Sequence, residues 1–284
     1  MIPAAFDYVA PETLSEAIDA LSSGGDDAKL LAGGQSLLPL MKLRFAVPEL
    51  LVDLRRVAGL VGVERENGTV RIGAMTTHRR LERSPELGLL SRAAGAIADP
   101  QVRNRGTIGG SLAHGDRAAD LPAVVLAYEG TVTAQGPSGQ REMPVSDLFL
   151  DYLTTSLGPD EVLTEVRVPA LDDHGFGFQK FNRRSEDWAL VGACALVQAR
   201  DGTCSDVRVA LTHMASTPIR ATATEEALRG QPLDADRIAA AAEQAAEGTD
   251  PPTDLNADAD YKRHLARVLT RRALTEAAAM AQGG

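Results

Sequence analysis

Cysteine is scarce: only Cys194 and Cys204 occur in 284 residues. They form no CxxC pair and cannot supply the four thiolates of an iron–sulfur cluster or a structural zinc, so both read as buried free thiols. The five histidines, His78, His114, His174, His213 and His264, are scattered without HExxH or other ligand spacing, and no protein-bound metal is expected. Positive charge is also short. Lys plus Arg total 29 against 39 Asp plus Glu, a net charge of -10, which argues against the basic face that nucleic acid demands. No apolar run approaches the roughly 18 residues needed to span a bilayer. Residues 1–7 lack the charged and apolar regions of a signal peptide, so a cytoplasmic location is expected. Common site signatures are missing too. There is no GxGxxG and no GxxxxGK[ST], which removes an ordinary Rossmann or P-loop site. Gly34-Gln35-Ser36-Leu37-Leu38 fails as GxSxG, so Ser36 reads as a hydroxyl donor rather than a nucleophile.

Two glycine-rich stretches are what the chain does have. In Arg103-Asn104-Arg105-Gly106-Thr107-Ile108-Gly109-Gly110-Ser111-Leu112-Ala113-His114, three glycines and two hydroxyl residues fall within six positions. Glycine lacks Cβ and reaches φ > 0, so such a loop can bring backbone N–H groups onto an anion; the same composition also serves a plain tight turn. The second stretch is Ala32-Gly33-Gly34-Gln35-Ser36-Leu37-Leu38-Pro39. A strand at Lys29–Leu31 runs into it and a helical turn through Met41 and Leu43 follows, the order in which α/β folds present N–H groups to a phosphate.

The remaining pattern is α+β. Leu14, Ala17, Ile18 and Leu21 share one helical face over 11–25, with Thr13 and Glu16 as a capping box and Gly24-Gly25 as the stop. A strand at Leu50–Asp53 closes a small α/β unit near residue 56. Asn67-Gly68 predicts a hairpin between strands at 60–64 and 69–72. Helices follow at 77–82 and 86–98, and Asp99-Pro100 breaks the chain. A helix at 121–128 has Pro122 in its first turn and Asp120 placed to cap it. Strands at 131–135, 141–145 and 162–168 make the span 57–176 a mostly antiparallel sheet with inserted helices. Beyond a linker at 172–175 come strands at 176–182, 189–200 and 206–213, the last two joined by a longer turn at Asp201-Gly202. Helices at 223–229, 235–247 and 258–281 end the chain, so strands precede helices.

Both glycine-rich stretches, with Ile72-Gly73-Ala74-Met75-Thr76-Thr77-His78 and Ala118-Ala119-Asp120-Leu121-Pro122-Ala123, resemble the FAD-binding medium subunit of the aerobic-type carbon monoxide dehydrogenase and xanthine dehydrogenase family of molybdenum hydroxylases. The likeness runs from residue 2 to about 190 and thins over the C-terminal helices. It implies a two-subdomain FAD-binding fold of the PCMH or vanillyl-alcohol-oxidase type, residues 1–56 and 57–176, followed by a C-terminal three-stranded sheet with helices, residues 177–284. In such proteins the FAD pyrophosphate lies on two loops. Here these are Ala32, Gly33, Gly34, Gln35, Ser36 and Leu37, and Thr107, Ile108, Gly109, Gly110 and Ser111. The resemblance adds Asp120 as a polar FAD contact, alongside its capping role, and places the backbone of Leu163 and the side chain of Lys180 near the cofactor. Trp188, the only tryptophan, stands where similar carbon monoxide dehydrogenase subunits shield the flavin with a tyrosine; an indole can stack there, or serve as a core or interface aromatic. Gly115 and Arg117 depart from the alanine and proline common at those positions.

The function implied is an electron-transfer subunit. Its FAD would take electrons from a small subunit with two [2Fe-2S] clusters, while a large subunit with the molybdenum cofactor oxidises the substrate, in a dimer of heterotrimers. The cysteine count fits that division, and flavin supplies redox chemistry without an acid–base constellation in the chain. Two alternatives stay open. A stand-alone FAD oxidoreductase would draw a proton-handling group from Tyr8, His78 or His114. A cofactor-free scaffold would use both loops as turns.

Overall fold

In the computed structural model, which describes residues 2–283, the chain begins with a strand too short to show alternation, β1 (Asp7–Val9). Helix α1 (Leu14–Gly24) has the predicted capping box: the Thr13 hydroxyl accepts from Glu16 N–H, and the Glu16 carboxylate accepts from Thr13 N–H. It buries Ala17, Ile18 and Leu21. Strand β2 (Ala28–Leu31), helix α2 (Leu37–Lys42) and strand β3 (Leu50–Asp53) complete the unit. β1 and β2 both pair in parallel with β3, which lies between them.

A second sheet is antiparallel. β4 (Val63–Glu66) and β5 (Thr69–Gly73) form the hairpin that Asn67-Gly68 predicts; both turn residues have positive φ, 48° and 78°, as a type I′ turn requires. The first strand starts at Val63, not 60. Five helices follow: α3 (His78–Glu82), α4 (Leu89–Gly95), α5 (Pro100–Arg103), α6 (Ile108–His114) and α7 (Asp120–Ala127). The helix expected over 86–98 is interrupted at Gly88, whose φ is +53°. Asp99-Pro100 starts a helix instead of only breaking the chain. The Asp99 carboxylate accepts from the N–H groups of Gln101 and Val102, with Pro100 in the first turn, where a missing N–H costs nothing. Strands β6 (Thr131–Gly136) and β7 (Gly139–Pro144) form a hairpin, β8 (Phe149–Asp151) and β9 (Thr154–Thr155) a small separate one, and β10 (Val162–Pro169) closes the sheet. The order is β4-β5-β10-β6-β7.

The third sheet holds the three predicted long strands, β11 (Gly175–Phe181), β12 (Val191–Arg200) and β13 (Thr203–Thr212), and a short edge strand, β14 (Ile219–Arg220). The connection at Asp201-Gly202 is a two-residue turn, with φ of 51° and 74°, because β13 begins earlier than its apolar alternation suggests. β12 reads as a continuous apolar run because both its faces are covered. Cys194 and Leu196 join the core of the second sheet, with Leu121, Val125 and Ile108. Ala193, Ala195 and Val197 face a C-terminal core built with α8 (Thr222–Leu228), α9 (Ala235–Ala242) and α10 (Ala259–Gln282).

Helix α10 lies directly on β11 because two glycines allow it. A Cβ at Gly175 would stand 2.0 Å from the carbonyl oxygen of Ala277, and one at Gly177 2.0 Å from that of Ala273. Gly177→Ala is therefore expected to force the helix off the sheet and destabilise the chain by about 1–3 kcal/mol, read as a lower denaturant midpoint.

Candidate cofactor cleft

The glycine-rich stretches meet at the mouth of a cleft of about 650 Å³, a volume in the range of small-molecule sites. After β2 the chain turns at Gly34, with φ +74°, and enters α2. The backbone N–H groups of Gly33, Gly34, Gln35, Ser36 and Leu37 have no acceptor among the described residues. Ser36 precedes α2 without capping it. All of these residues, with Ala32, line the cleft.

The second stretch differs from the expected loop. Thr107 caps α6, its hydroxyl accepting from Gly110 N–H at 3.1 Å, so Ile108 to Ser111 form the first helical turn. The N–H groups of Ile108 and Gly109 donate to the carbonyls of Thr76 and Ala74 at 3.1 and 2.8 Å, and that of Ser111 to Thr107 at 3.0 Å. Those donors are already committed. The glycines serve close packing instead: a Cβ at Gly109 would lie 2.5 Å from Ala74 Cβ, and one at Gly106 2.7 Å from the His78 ring. Thr107, Gly109, Gly110 and Ser111 line the cleft, whereas Ile108 is turned away and fully buried in the core.

The two stretches touch backbone to backbone. A Cβ at Gly33 would stand 2.4 Å from the Arg105 carbonyl oxygen and 2.7 Å from Gly106 Cα. Gly33 is thus a point at which the N-terminal unit seats on the second without room for a side chain.

Asp120 does not cap α7. Ala119 holds the cap position, and Asp120 reaches across to β11, where its Oδ2 lies 2.8 Å from Lys180 Nζ. Lys180 also donates to the carbonyl of Ala96 at 3.2 Å. Burial pushes the Asp120 carboxyl above the ordinary carboxylate range while the lysine works against it. Its second oxygen, Oδ1, is buried without a partner. A buried acceptor in that state is costly, and both side chains line the cleft. Leu163 reaches the same cavity beside an irregularity in the pairing of β10 with β6. The β11–β12 connection carries Trp188, 56% exposed, to its rim, so the indole is not a core residue.

Of the three proton-handling candidates, Tyr8 is elsewhere: its hydroxyl donates to Asp53 Oδ2 at 2.8 Å. His78 and His114 line the cleft. Burial, reinforced by Arg103, pushes the His78 pKa down to about 4, and burial also lowers that of His114. Both rings are neutral near pH 7. The walls include Met75, Ile97 and Ala98, of which only Met75 lies in a stretch that carries the family resemblance. Among the described residues, no group of three or more side chains could hold a metal ion, and no helix is long and apolar enough to cross a membrane.

Comparison with known proteins gives the family and the fold. Residues 4–171 match the model of the FAD binding domain in molybdopterin dehydrogenase, and residues 176–277 that of the CO dehydrogenase flavoprotein C-terminal domain. The carbon monoxide dehydrogenase medium chain of Hydrogenophaga pseudoflava is 46% identical, over 98% of each chain. The alpha subunit of the 6-hydroxypseudooxynicotine dehydrogenase complex of Paenarthrobacter nicotinovorans is 43% identical, over 98% of this chain and 96% of that one. A solved structure of the Hydrogenophaga pseudoflava carbon monoxide dehydrogenase superposes with a TM-score of 0.96 over 99% of each chain, at 46% identity. The chain belongs to the FAD-binding medium subunits of the molybdenum hydroxylases, the oxidoreductase family of carbon monoxide dehydrogenase and xanthine dehydrogenase.

Proposed function

We propose that the chain is the electron-transfer subunit of a multisubunit molybdenum hydroxylase, receiving electrons from two [2Fe-2S] clusters of a small subunit and passing them to an external acceptor. A large subunit with the molybdenum cofactor would oxidise the substrate, in a cytoplasmic dimer of heterotrimers. Two relatives of similar identity bear the names of unlike substrates, carbon monoxide and 6-hydroxypseudooxynicotine. This supports a medium subunit that is common machinery, with the substrate selected elsewhere.

The donor set of the cleft fits FAD. The observation that carries the assignment is the run of residues from Gly33 to Leu37, whose N–H groups have no partner among the described residues, along a cavity also lined by Asp120 with its orphaned Oδ1. A diphosphate takes several convergent donors; here the N–H run and the hydroxyls of Ser36, Thr107 and Ser111 supply them. Asp120 Oδ1 would accept from a cofactor hydroxyl or N–H while Lys180 holds Oδ2. The backbone at Leu163 also lines the cleft, and Trp188 at its rim would lie against the ring. When bound, FAD supplies the redox chemistry; the chain positions it and keeps neutral imidazoles beside it.

The purified chain is expected to show flavin absorbance and to co-purify with iron–sulfur and molybdenum subunits from its source. Flavin without those subunits would favour a stand-alone oxidoreductase. Asp120→Ala is expected to weaken FAD about tenfold or more, since a hydrogen bond to a charged group is worth about 1.5–3 kcal/mol, measured by titration of the apoprotein; unchanged affinity removes Asp120 from the site. Gly33→Ala should abolish flavin retention by parting the two stretches.

A pH dependence follows from His78. Its folded pKa is about 4 and its unfolded one about 6.5, so the unfolded state binds the extra proton between those values. The contribution is intact above pH 6.5 and falls away with acidification, by about 3 kcal/mol at pH 4. His78→Phe should flatten that limb in denaturant midpoints measured from pH 7 to pH 4.

A further inference from the structure

His213 has no part in the cleft, yet it sits at a junction of three segments. It is a non-glycine residue in the left-handed region, with φ +64°, a conformation that costs about 1–2 kcal/mol and persists where surroundings enforce it. Its backbone N–H donates to the carbonyl of Arg117 at 2.9 Å, in the connection that leaves α6. Its ring Nδ1 lies 2.9 Å from the carbonyl oxygen of Ala189, next to Trp188. Nε2 faces Lys262 Nζ at 3.5 Å.

Lys262 is fully buried, an unusual place for an ammonium. It is held by Asp254 Oδ2 at 2.6 Å and the carbonyl of Pro252 at 2.8 Å. These contacts fix the tautomer: a carbonyl at Nδ1 requires an N–H there, and an ammonium at Nε2 requires a lone pair. Burial lowers the His213 pKa, with Lys262 and Arg117 adding to the shift and the Ala189 bond and Asp254 opposing it. The ring is a neutral bridge. A second tie joins the same two regions, from Arg183 in the β11–β12 connection to Asn256 Oδ1 at 2.8 Å.

We propose that His213 is a positioning residue for Trp188: bonded to the Ala189 carbonyl and braced by Lys262, it holds the β11–β12 connection so that the indole stays at the rim of the cofactor cleft. The role needs a donor at the Nδ1 position and a backbone tolerant of positive φ. Two substitutions separate these needs. His213→Gly accepts the backbone and removes the donor; His213→Asn also tolerates it and places an amide N–H where Nδ1 stands.

The flavin readout rests on the function proposed above, in which Trp188 lies against the ring and quenches its emission on contact. In the full chain loaded with FAD, His213→Gly is expected to raise flavin emission per bound FAD about twofold or more, and His213→Asn to restore it. Trp188→Leu should raise emission by itself, and adding His213→Gly to that background should change nothing further, since the effect passes through the indole. A purely structural role for His213 would lower the denaturant midpoint and leave emission per bound FAD unchanged. That outcome overturns the proposal, as does an effect that survives in the Trp188→Leu background. If the chain takes up no FAD, the proposed function fails separately. The tie is then read in the flavin-free chain from acrylamide quenching of Trp188, the sole tryptophan: about a twofold increase is expected in His213→Gly, and equal quenching refutes the proposal.

Discussion

The cleft depends on one backbone contact. Gly33 lies against Arg105 and Gly106 with no room for a methyl group, so two units with separate sheets, joined by a core cluster that also takes Leu60, Met75 and Val162 from the second, meet backbone to backbone at their glycine-rich stretches. Close packing of this kind has a steep repulsive wall. It fixes the distance between the free N–H run after β2 and the hydroxyls at the start of α6 far more tightly than side-chain contacts would. The glycines at this seam do different work. Gly34 supplies a positive φ, while Gly33, Gly106 and Gly109 supply absence of bulk.

Strand β11 joins this seam to the C-terminal sheet. At one end Gly175 and Gly177 seat it on α10; towards the other, Lys180 crosses to Asp120 in α7. The ion pair is almost wholly shielded, with side chains 8% and 4% exposed. A pair so placed is a weak source of net stability but a strong constraint on geometry once formed, because removing one member strands the other. The C-terminal sheet therefore supplies part of the cleft wall as well as the indole at its rim.

Much of this was legible in the sequence because local signals and tertiary demands agree. The Thr13–Glu16 box, the Asn67-Gly68 turn and the alternation of β10 each specify their element within a few residues. The likeness of the two glycine-rich stretches pointed to the family and to FAD as its cofactor. What failed to show was set at longer range. β1 is three exposed residues that become a strand only through pairing with β3. Gly109-Gly110 reads as loop, since glycine disfavours helix, yet Thr107 caps a helix there and Ala74 needs the space. Asp120 has the position of a cap, but a lysine 60 residues away claims its carboxylate. Ile108 falls inside the motif and points into the core. His213 was only one of five scattered histidines, because its partners at 117, 189 and 262 become neighbours only in the fold.

The charges around the cleft carry a consequence for how a phosphorylated ligand would reach it. The wall includes two lysines, Lys29 and Lys180, against four carboxylates, Asp120, Glu161, Glu186 and Asp187, and one lysine is already bound to Asp120. The whole chain carries -10. An anion captured by neutral amide and hydroxyl dipoles at such a site meets repulsion at long range and attraction only on contact. Ionic strength would then act in the unfamiliar direction, with added salt easing the approach of a dinucleotide instead of weakening its hold.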